Sequence, residues 1–131
     1  MKYTALSVVG TFIIDDKVAL RIIRGEQNKE DSTILDTILN NEINSKVKQF
    51  KLPYDNFFCF NYNFNEDGDS TCIITFQSVQ VDAPSEDIAK RKIAEQCRGL
   101  EVKDVEIESV LTEEDYQEYL NFFRELQDDE E

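Results

Sequence analysis

"FFCFNYNFNEDGDSTCIITF", residues 57–76, consists of two apolar, alternating runs joined by a polar turn. Side chains with oxygen ligands stand at alternate positions from Asn63 to Asp67, and Gly68 follows, as in the first half of an EF-hand calcium loop. The twelfth position of such a loop takes a bidentate glutamate, but here it is Ile74. The flanking runs alternate like strands, whereas an EF-hand needs helices. The stretch therefore predicts a β-hairpin.

The register of this hairpin follows from the loop that joins its strands. A three-residue loop, Glu66-Asp67-Gly68, places Gly68 in the left-handed conformation that such loops require. Its two acids, together with Asp69, leave a weak adventitious cation site as a secondary use of the loop. The register then places six apolar side chains on one face, in the pairs Tyr62 with Cys72, Phe60 with Ile74 and Phe58 with Phe76, and it pairs Asn63 with Thr71 on the opposite face.

Apolar periodicity and turn residues predict the remaining elements. Gly10 interrupts the first strand and predicts a bulge or a close approach of two backbones. Ser85 caps a helix that Gly99 ends in the left-handed conformation. Besides the hairpin, the predicted strands cover residues 3–14, 18–24 and 102–111, and the predicted helices cover residues 32–50, 85–99 and 112–127.

The predicted order of elements is ββαββαβα. This order indicates the α+β class, with a single sheet of about five mostly antiparallel strands packed with three helices. Residues 57–111, a β-β-α-β segment, are compatible with part of a ferredoxin-like arrangement. Residues 1–127 are predicted to form one α+β domain, and residues 128–131 an acidic frayed tail.

The composition indicates a globular domain with a core. The chain has 131 residues, of which 40% are apolar, including nine Phe and five Tyr. Its net charge of −14 disfavours direct binding to nucleic acid or to an anionic membrane surface, since both require a basic footprint. No apolar run is long enough to cross a bilayer. The three scattered cysteines, Cys59, Cys72 and Cys97, predict buried free thiols in a reducing cytoplasm.

No catalytic constellation can be assembled from the sequence. The chain lacks His, CxxC spacing and a Gly-rich phosphate loop, which removes the commonest general base and most transition-metal sites. Cys97 follows a basic run, but its place on an apolar stripe with Ile93 favours a core thiol. We therefore predict a non-enzymatic protein without a catalytic, metal or cofactor site. A carboxylate-based, metal-dependent enzyme is a less favoured alternative.

The negative charge is concentrated in the second half of the chain. Residues 1–56 contain eight acids and eight Lys plus Arg, whereas residues 57–131 contain 20 acids and six Lys plus Arg. In the last predicted strand, acids alternate with Val105 and Ile107, which places them in a row on one face, about 6.6 Å apart. This acidic surface continues onto the last helix and consists of Asp104, Glu106, Glu108, Glu113, Glu114, Asp115 and Glu118.

The acidic surface has two interpretations. It is a solvated face that keeps the protein dispersed, or it imitates a phosphate backbone and occupies the basic groove of a nucleic-acid-binding protein. By size and charge asymmetry the chain resembles the small acidic decoys that phages make against restriction and CRISPR systems, a resemblance of composition that carries no motif. It implies an anti-CRISPR or anti-restriction inhibitor that binds a basic host nuclease in the host cytoplasm.

An alternative function depends on apolar residues. Tyr116, Tyr119 and Phe122 of the last predicted helix are candidates for the interface of a small-ligand or subunit-assembly module. Binding through these side chains would tolerate high salt, whereas binding through exposed carboxylates would weaken as salt screens their charge.

Overall fold

The computed structural model describes residues 1–49 and 57–129, excluding the side chains of residues 127–129. The α+β class is confirmed, but the predicted five strands and three helices are wrong, since the described residues form four of each. Their order is β1 (Lys2–Ile14), α1 (Asp16–Gln27), α2 (Ser32–Gln49), β2 (Phe57–Asn63), β3 (Ser70–Asp82), α3 (Glu86–Gly99), β4 (Val102–Thr112) and α4 (Glu113–Asp129).

The four described strands form one antiparallel sheet in the order β2-β3-β1-β4. The central strand β1 pairs with β3 and β4, and β3 pairs in turn with β2. The helices α1 and α2 connect β1 to β2 with β3 lying between them, and α3 connects β3 to β4 with β1 lying between them. These connections are two split β-α-β units, which leave β2 and β4 at the edges of the described sheet.

The segment predicted as a second strand, residues 18–24, lies in α1 instead. Its apolar run is short enough to fit either a strand or a buried helix face, so periodicity alone could not decide. In the structure Ala19 and Ile22 are buried nearly one helical turn apart. The Asp15 carboxylate caps the helix by accepting a hydrogen bond from the backbone N–H of Lys17 (2.9 Å). With this cap at Asp15, α1 begins directly after the end of β1.

The core lies between the sheet and the helices α1, α2 and α3. Phe12, Ile74 and Phe76 from the two central strands are at most 1% exposed, and they share one buried cluster with Ile43 of α2 and Ile93 of α3. Full burial of one such side chain contributes about 1.5–3 kcal/mol. The core therefore fixes which face of each strand is turned toward the helices.

α3 starts and ends at the predicted residues, but the predicted conformation of its last residue is wrong. The Ser85 hydroxyl accepts a hydrogen bond from the backbone N–H of Ile88 (3.4 Å), and the predicted core thiol Cys97 is fully buried. The sequence predicts that Gly99 ends the helix in the left-handed conformation. None of the described glycines has a positive φ, and the left-handed residue at this end is Glu101 (φ 60°).

The predicted register of the hairpin holds beside the loop, where Asn63 lies opposite Thr71, but is wrong by one residue from Phe57 to Phe60. Phe57, not Phe58, lies opposite Phe76, and Cys59 lies opposite Ile74. Because side chains alternate between the two faces of a strand, a slip of one residue reverses the face of every side chain in β2 up to its bulge. The side chain of Phe58 therefore leaves the core and lies on the face away from α1, α2 and α3.

The connecting loop is longer than predicted, but it does not shift the register, because Asn63 beside the loop still lies opposite Thr71. The slip arises at the bulge between Phe60 and Asn63. Six residues, 64–69, join β2 to β3. The backbone N–H of Asn65 donates to the Ser70 hydroxyl, and the Asn65 side-chain amide donates to the carbonyl of Asp69, both at 2.9 Å. Gly68 does not adopt the left-handed conformation on which the three-residue loop depended.

A bulge in β2 turns one aromatic residue back toward the helices. Asn61 is left-handed (φ 53°), and the pairing with β3 shifts between Phe60 and Asn63. Such a bulge changes the alternation by one residue. Tyr62 consequently lies on the same side of the sheet as Cys59, three residues earlier.

Gly10 marks both a bulge and a close approach, as predicted. The pairing of β1 with β4 shifts between Val9 and Thr11, and Asp104 in the facing segment of β4 is left-handed (φ 52°). A Cβ atom on Gly10 would lie 2.3 Å from Cγ1 of Val102, which is far inside van der Waals contact. The absence of a side chain at Gly10 therefore allows the two strands to pack at this point.

The last helix, α4, contacts β1 and β4. The Thr112 hydroxyl accepts a hydrogen bond from the backbone N–H of Asp115 (3.2 Å), and the Tyr116 hydroxyl donates to Ser78 of β3 (3.3 Å). No helix in the described ranges is both long and apolar enough to cross a membrane. Beyond Tyr116, α4 carries an exposed apolar stripe at helical spacing, formed by Tyr119, Phe122, Phe123 and Leu126.

Candidate functional site

The strand part of the acidic surface lies on the edge strand β4. Val105 and Ile107 pack against the core, so the alternating Glu106 and Glu108 lie on the opposite face of β4 and are exposed. Charged side chains on an edge strand also discourage pairing with another sheet. The two carboxylates therefore have a structural use in addition to any partner they bind.

The bulge in the pairing of β1 with β4 interrupts the predicted row of acids at its first residue, Asp104. Lys103 and Glu106 lie opposite Thr11 and Val9, two residues apart on β1, so both belong to the same face. The left-handed Asp104 stands in the extra segment between them and leaves the regular alternation. The strand therefore presents two carboxylates in regular register, with Asp104 exposed at the bulge.

The helix part of the acidic surface occupies the N-terminal turns of α4. Glu113, Glu114 and Asp115 lie in the first turn, where the positive end of the helix dipole stabilises them, and Glu118 follows one turn later. Within the described part of the chain, none of the seven predicted residues forms a salt bridge. All seven are exposed, namely Asp104, Glu106, Glu108, Glu113, Glu114, Asp115 and Glu118.

Two exposed aromatic residues share the sheet face of Glu106 and Glu108. Phe58 and Phe60 are 49% and 39% exposed, and their rings stack with centroids 6.0 Å apart. We call this side of the sheet, which lies away from α1, α2 and α3, the open face. Two cross-strand rows traverse it, Phe58-Thr75-Val9-Glu106 and Phe60-Ile73-Thr11-Lys103. With strands about 4.8 Å apart, aromatic rings and carboxylates lie at opposite edges of a face about 14 Å wide.

The loop acids show no arrangement suited to a metal ion. Among the described residues, no group of three or more His, Cys, Asp or Glu side chains is placed to hold one, and this applies to Glu66, Asp67 and Asp69. The Glu66 carboxylate accepts a hydrogen bond from the side-chain amide of Gln27 (3.3 Å), which links the hairpin loop to the end of α1.

Two cysteine thiols and a phenol form a cluster on the helix side of the hairpin. A hydrogen bond from the Cys72 thiol holds the pKa of Cys59 below its usual value, and the same bond raises the pKa of Cys72. Burial, and then the charges of the neighbouring Cys59, Cys72 and Asp36, raise the pKa of Tyr62 to about 12. Cys72 is buried as predicted, whereas Cys59 is only half-buried, so the prediction of three buried thiols is wrong for Cys59.

We expect alkylation by iodoacetamide at pH 8 to modify Cys59 first. Its depressed pKa gives more of the reactive thiolate, and the residue is partly accessible. Burial raises the pKa of Cys97 to about 11, and that thiol should react only when the protein unfolds. Peptide mass spectrometry over time measures the order, and faster labelling of Cys97 than of Cys59 in the folded protein would contradict it.

A cleft of about 510 Å³ opens between α1, α2 and the end of β2. Its floor is apolar, one wall is aromatic and its rim is acidic. None of the described residues that line it is Lys or Arg. The lining residues are Ile22, Leu35 and Leu39 on the floor, Tyr62 and Phe64 on the wall, and Glu26, Glu30, Ser32 and Asp36 at the rim.

A salt bridge closes one side of this cleft. The two terminal guanidinium nitrogens of Arg21 donate to the Glu30 carboxylate, at 2.6 and 2.8 Å, and the guanidinium lowers the pKa of that carboxyl. A Cβ atom on Gly25 would lie 2.4 Å from Cδ2 of Leu35, so α1 and α2 approach closely beside it. The rim carboxylates of Glu26 and Asp36 form no salt bridge within the described residues.

No family model, curated protein or solved structure matches this chain. Its function therefore has to be inferred from the open face, the acidic surface and the cleft.

Proposed function

We propose that the protein is a non-enzymatic binding protein whose open face receives a basic partner protein. The observation that carries this proposal is the cross-strand row from Phe58 to Glu106, which puts an exposed aromatic edge and an acidic edge on one surface. Aromatic side chains supply buried contact area in an interface, and carboxylates select and attract a positively charged partner.

The partner that fits best is a nucleic-acid-binding protein of the cytoplasm, such as a nuclease of a host defence system. Its basic groove evolved to hold phosphates, and exposed carboxylates at a spacing of several ångströms imitate them. The net charge of −14 would accelerate the encounter through long-range attraction. Direct binding of nucleic acid to the open face is disfavoured, because Glu106 and Glu108 would repel the phosphates.

The connectivity of the sheet agrees with a complete ferredoxin-like arrangement rather than with part of one. Both split β-α-β units are present, with α2 added between β1 and β2 and α4 added after β4. In this arrangement one face of an antiparallel sheet is covered by helices and the other is left for binding. That division matches the placement of the core and of the open face here.

The test is the reversal of two charges, Glu106→Lys with Glu108→Lys. We expect the double variant to lose about 100-fold in affinity, since both attractive contacts become repulsive. The matched control is Glu42→Lys with Glu95→Lys, which changes the net charge equally on α2 and α3, behind the sheet. Inhibition of DNA binding by purified restriction and CRISPR nucleases provides the measurement. Equal losses in the two double variants, or inhibition by neither parent nor variant, would contradict the proposal.

A second candidate function is favoured by the apolar stripe of α4. Four large side chains at helical spacing are 37–58% exposed, which suits an assembly interface with another subunit. Such binding would persist in 1 M salt and would be lost in Phe122→Ala. Binding of a basic partner to the open face would instead weaken in 1 M salt and would persist in Phe122→Ala.

A further inference from the structure

We propose that the cleft between α1, α2 and β2 binds a monovalent organic cation, of the quaternary ammonium or guanidinium class. This site lies on the helix side of the sheet and is separate from the open face. Binding in the cleft therefore does not depend on the proposed partner protein.

The aromatic wall of the cleft is the first basis for this inference. The rings of Tyr62 and Phe64 are nearly parallel, with an interplanar angle of 5° and centroids 6.0 Å apart. Aromatic faces attract cations through their quadrupole, and the attraction grows as the cation loses water. The bulge at Asn61 is what brings Tyr62 to this side of the sheet.

The rim supplies the opposite charge. Arg21 already neutralises Glu30, but Glu26 and Asp36 have no cationic partner among the described residues. Asp36 and Tyr62 line the same cleft, and the Asp36 charge contributes, after burial and the two cysteines, to raising the pKa of the phenol. A cation held here would contact both groups, whereas an anion would be repelled by both carboxylates.

The apolar floor and the volume of the cleft indicate the chemistry of the uncharged part of the ligand. Ile22, Leu35 and Leu39 are buried and apolar, and they favour alkyl groups over a hydrated metal ion. The volume falls within the range of about 300–1,000 Å³ found for small-molecule sites. The ligand is therefore an alkylated or extended cation. It is either a free small molecule or an Arg or methylated Lys side chain of another protein.

Backbone-amide NMR titration tests the proposal. The probes are choline, the uncharged carbon isostere of choline, and N-acetyl-arginine amide, each at an ionic strength of about 0.15 M. We expect choline or the arginine derivative to shift the resonances of Tyr62, Phe64 and Asp36, and the uncharged isostere to bind at least threefold more weakly than choline. Stronger binding of choline indicates a free ligand, and stronger binding of the arginine derivative indicates a side chain as the natural source.

Two variants of cleft residues distinguish binding in the cleft from general electrostatic attraction of a cation to this acidic protein. Asp36→Asn and Tyr62→Leu should each weaken binding by roughly three- to thirtyfold, the range of a single cation–π or carboxylate contact. Glu95→Gln removes one negative charge from an exposed position on α3 and should leave the affinity unchanged. The proposal is overturned if neither cation shifts the cleft resonances, if the isostere binds as well as choline, or if Glu95→Gln weakens binding as much as Asp36→Asn. Amide spectra of each variant establish that its fold is intact.

Discussion

Phe12→Ala is expected to lower the free energy of unfolding by about 3–5 kcal/mol. The Phe12 side chain is fully buried in the central strand, where it lies between Cys72 of β3 and Val102 of β4. The ammonium group of Lys46 also lies over its ring, 5.4 Å from the centroid. Removing the ring leaves a cavity that the surrounding strands cannot fill, because both of its neighbours are held in the sheet. The loss is a large share of a total stability of about 5–15 kcal/mol.

Phe122→Ala is the matched control for this prediction. It removes the same atoms from the apolar stripe of α4, where Phe122 is 58% exposed, and should change the stability by less than about 1 kcal/mol. Urea denaturation followed by circular dichroism measures both variants. Similar losses in the two variants would mean that the stripe is part of the core, which would contradict the exposure of Phe122.

Gly10→Ala is expected to cost about 1–3 kcal/mol, although the change adds a single methyl group. The new Cβ would lie 2.3 Å from Cγ1 of Val102 and 3.1 Å from the backbone carbonyl of Lys103. The Val102 side chain is itself buried, so it has little space to withdraw, and β4 would have to move away from β1. The predicted effect therefore comes from overpacking between two paired strands.

Gly68→Ala provides the comparison for Gly10→Ala. No described atom lies within 4 Å of the position that its Cβ would take, and its φ is not positive. The substitution should be neutral, or should stabilise the protein by up to about 1 kcal/mol by restricting the unfolded chain. Thermal unfolding of both variants gives the test, and a greater loss for Gly68→Ala would show that the hairpin loop, rather than the β1–β4 contact, is sterically restricted.

The sequence predicts the hairpin but not the bulge that shifts its register. The alternation on both sides of Gly68 is sufficient to predict two strands, because a period of two is typical of a half-buried strand. The register from Phe57 to Phe60 depends on the bulge between Phe60 and Asn63, where Asn61 is left-handed. A bulge of this kind leaves no periodic signal. The error of one residue concealed Phe58, and with it the aromatic edge of the open face.

The acidic residues are easier to predict than the cleft. Charge asymmetry and alternation are properties of contiguous sequence, and they indicate the exposed face of Glu106 and Glu108 directly. The bulge at Asp104 is not predictable in this way, since it reflects the packing of a partner strand against Gly10. The cleft combines α1, α2 and β2, and the sequence pattern of α1 itself predicts a strand. Its aromatic wall also depends on the left-handed Asn61, which no sequence pattern indicates.

The apolar stripe of α4 makes the colloidal behaviour of the protein depend on ionic strength. At low salt, a net charge of −14 keeps two copies apart before their exposed Phe122 and Phe123 rings can touch. The Debye length falls from about 30 Å at 0.01 M salt to about 3 Å at 1 M, so added salt removes the repulsion while the apolar attraction remains. The negative charge of the protein is thus a kinetic barrier to clustering. Lowering the salt concentration disperses the protein, whereas raising it allows the apolar stripes of two copies to associate.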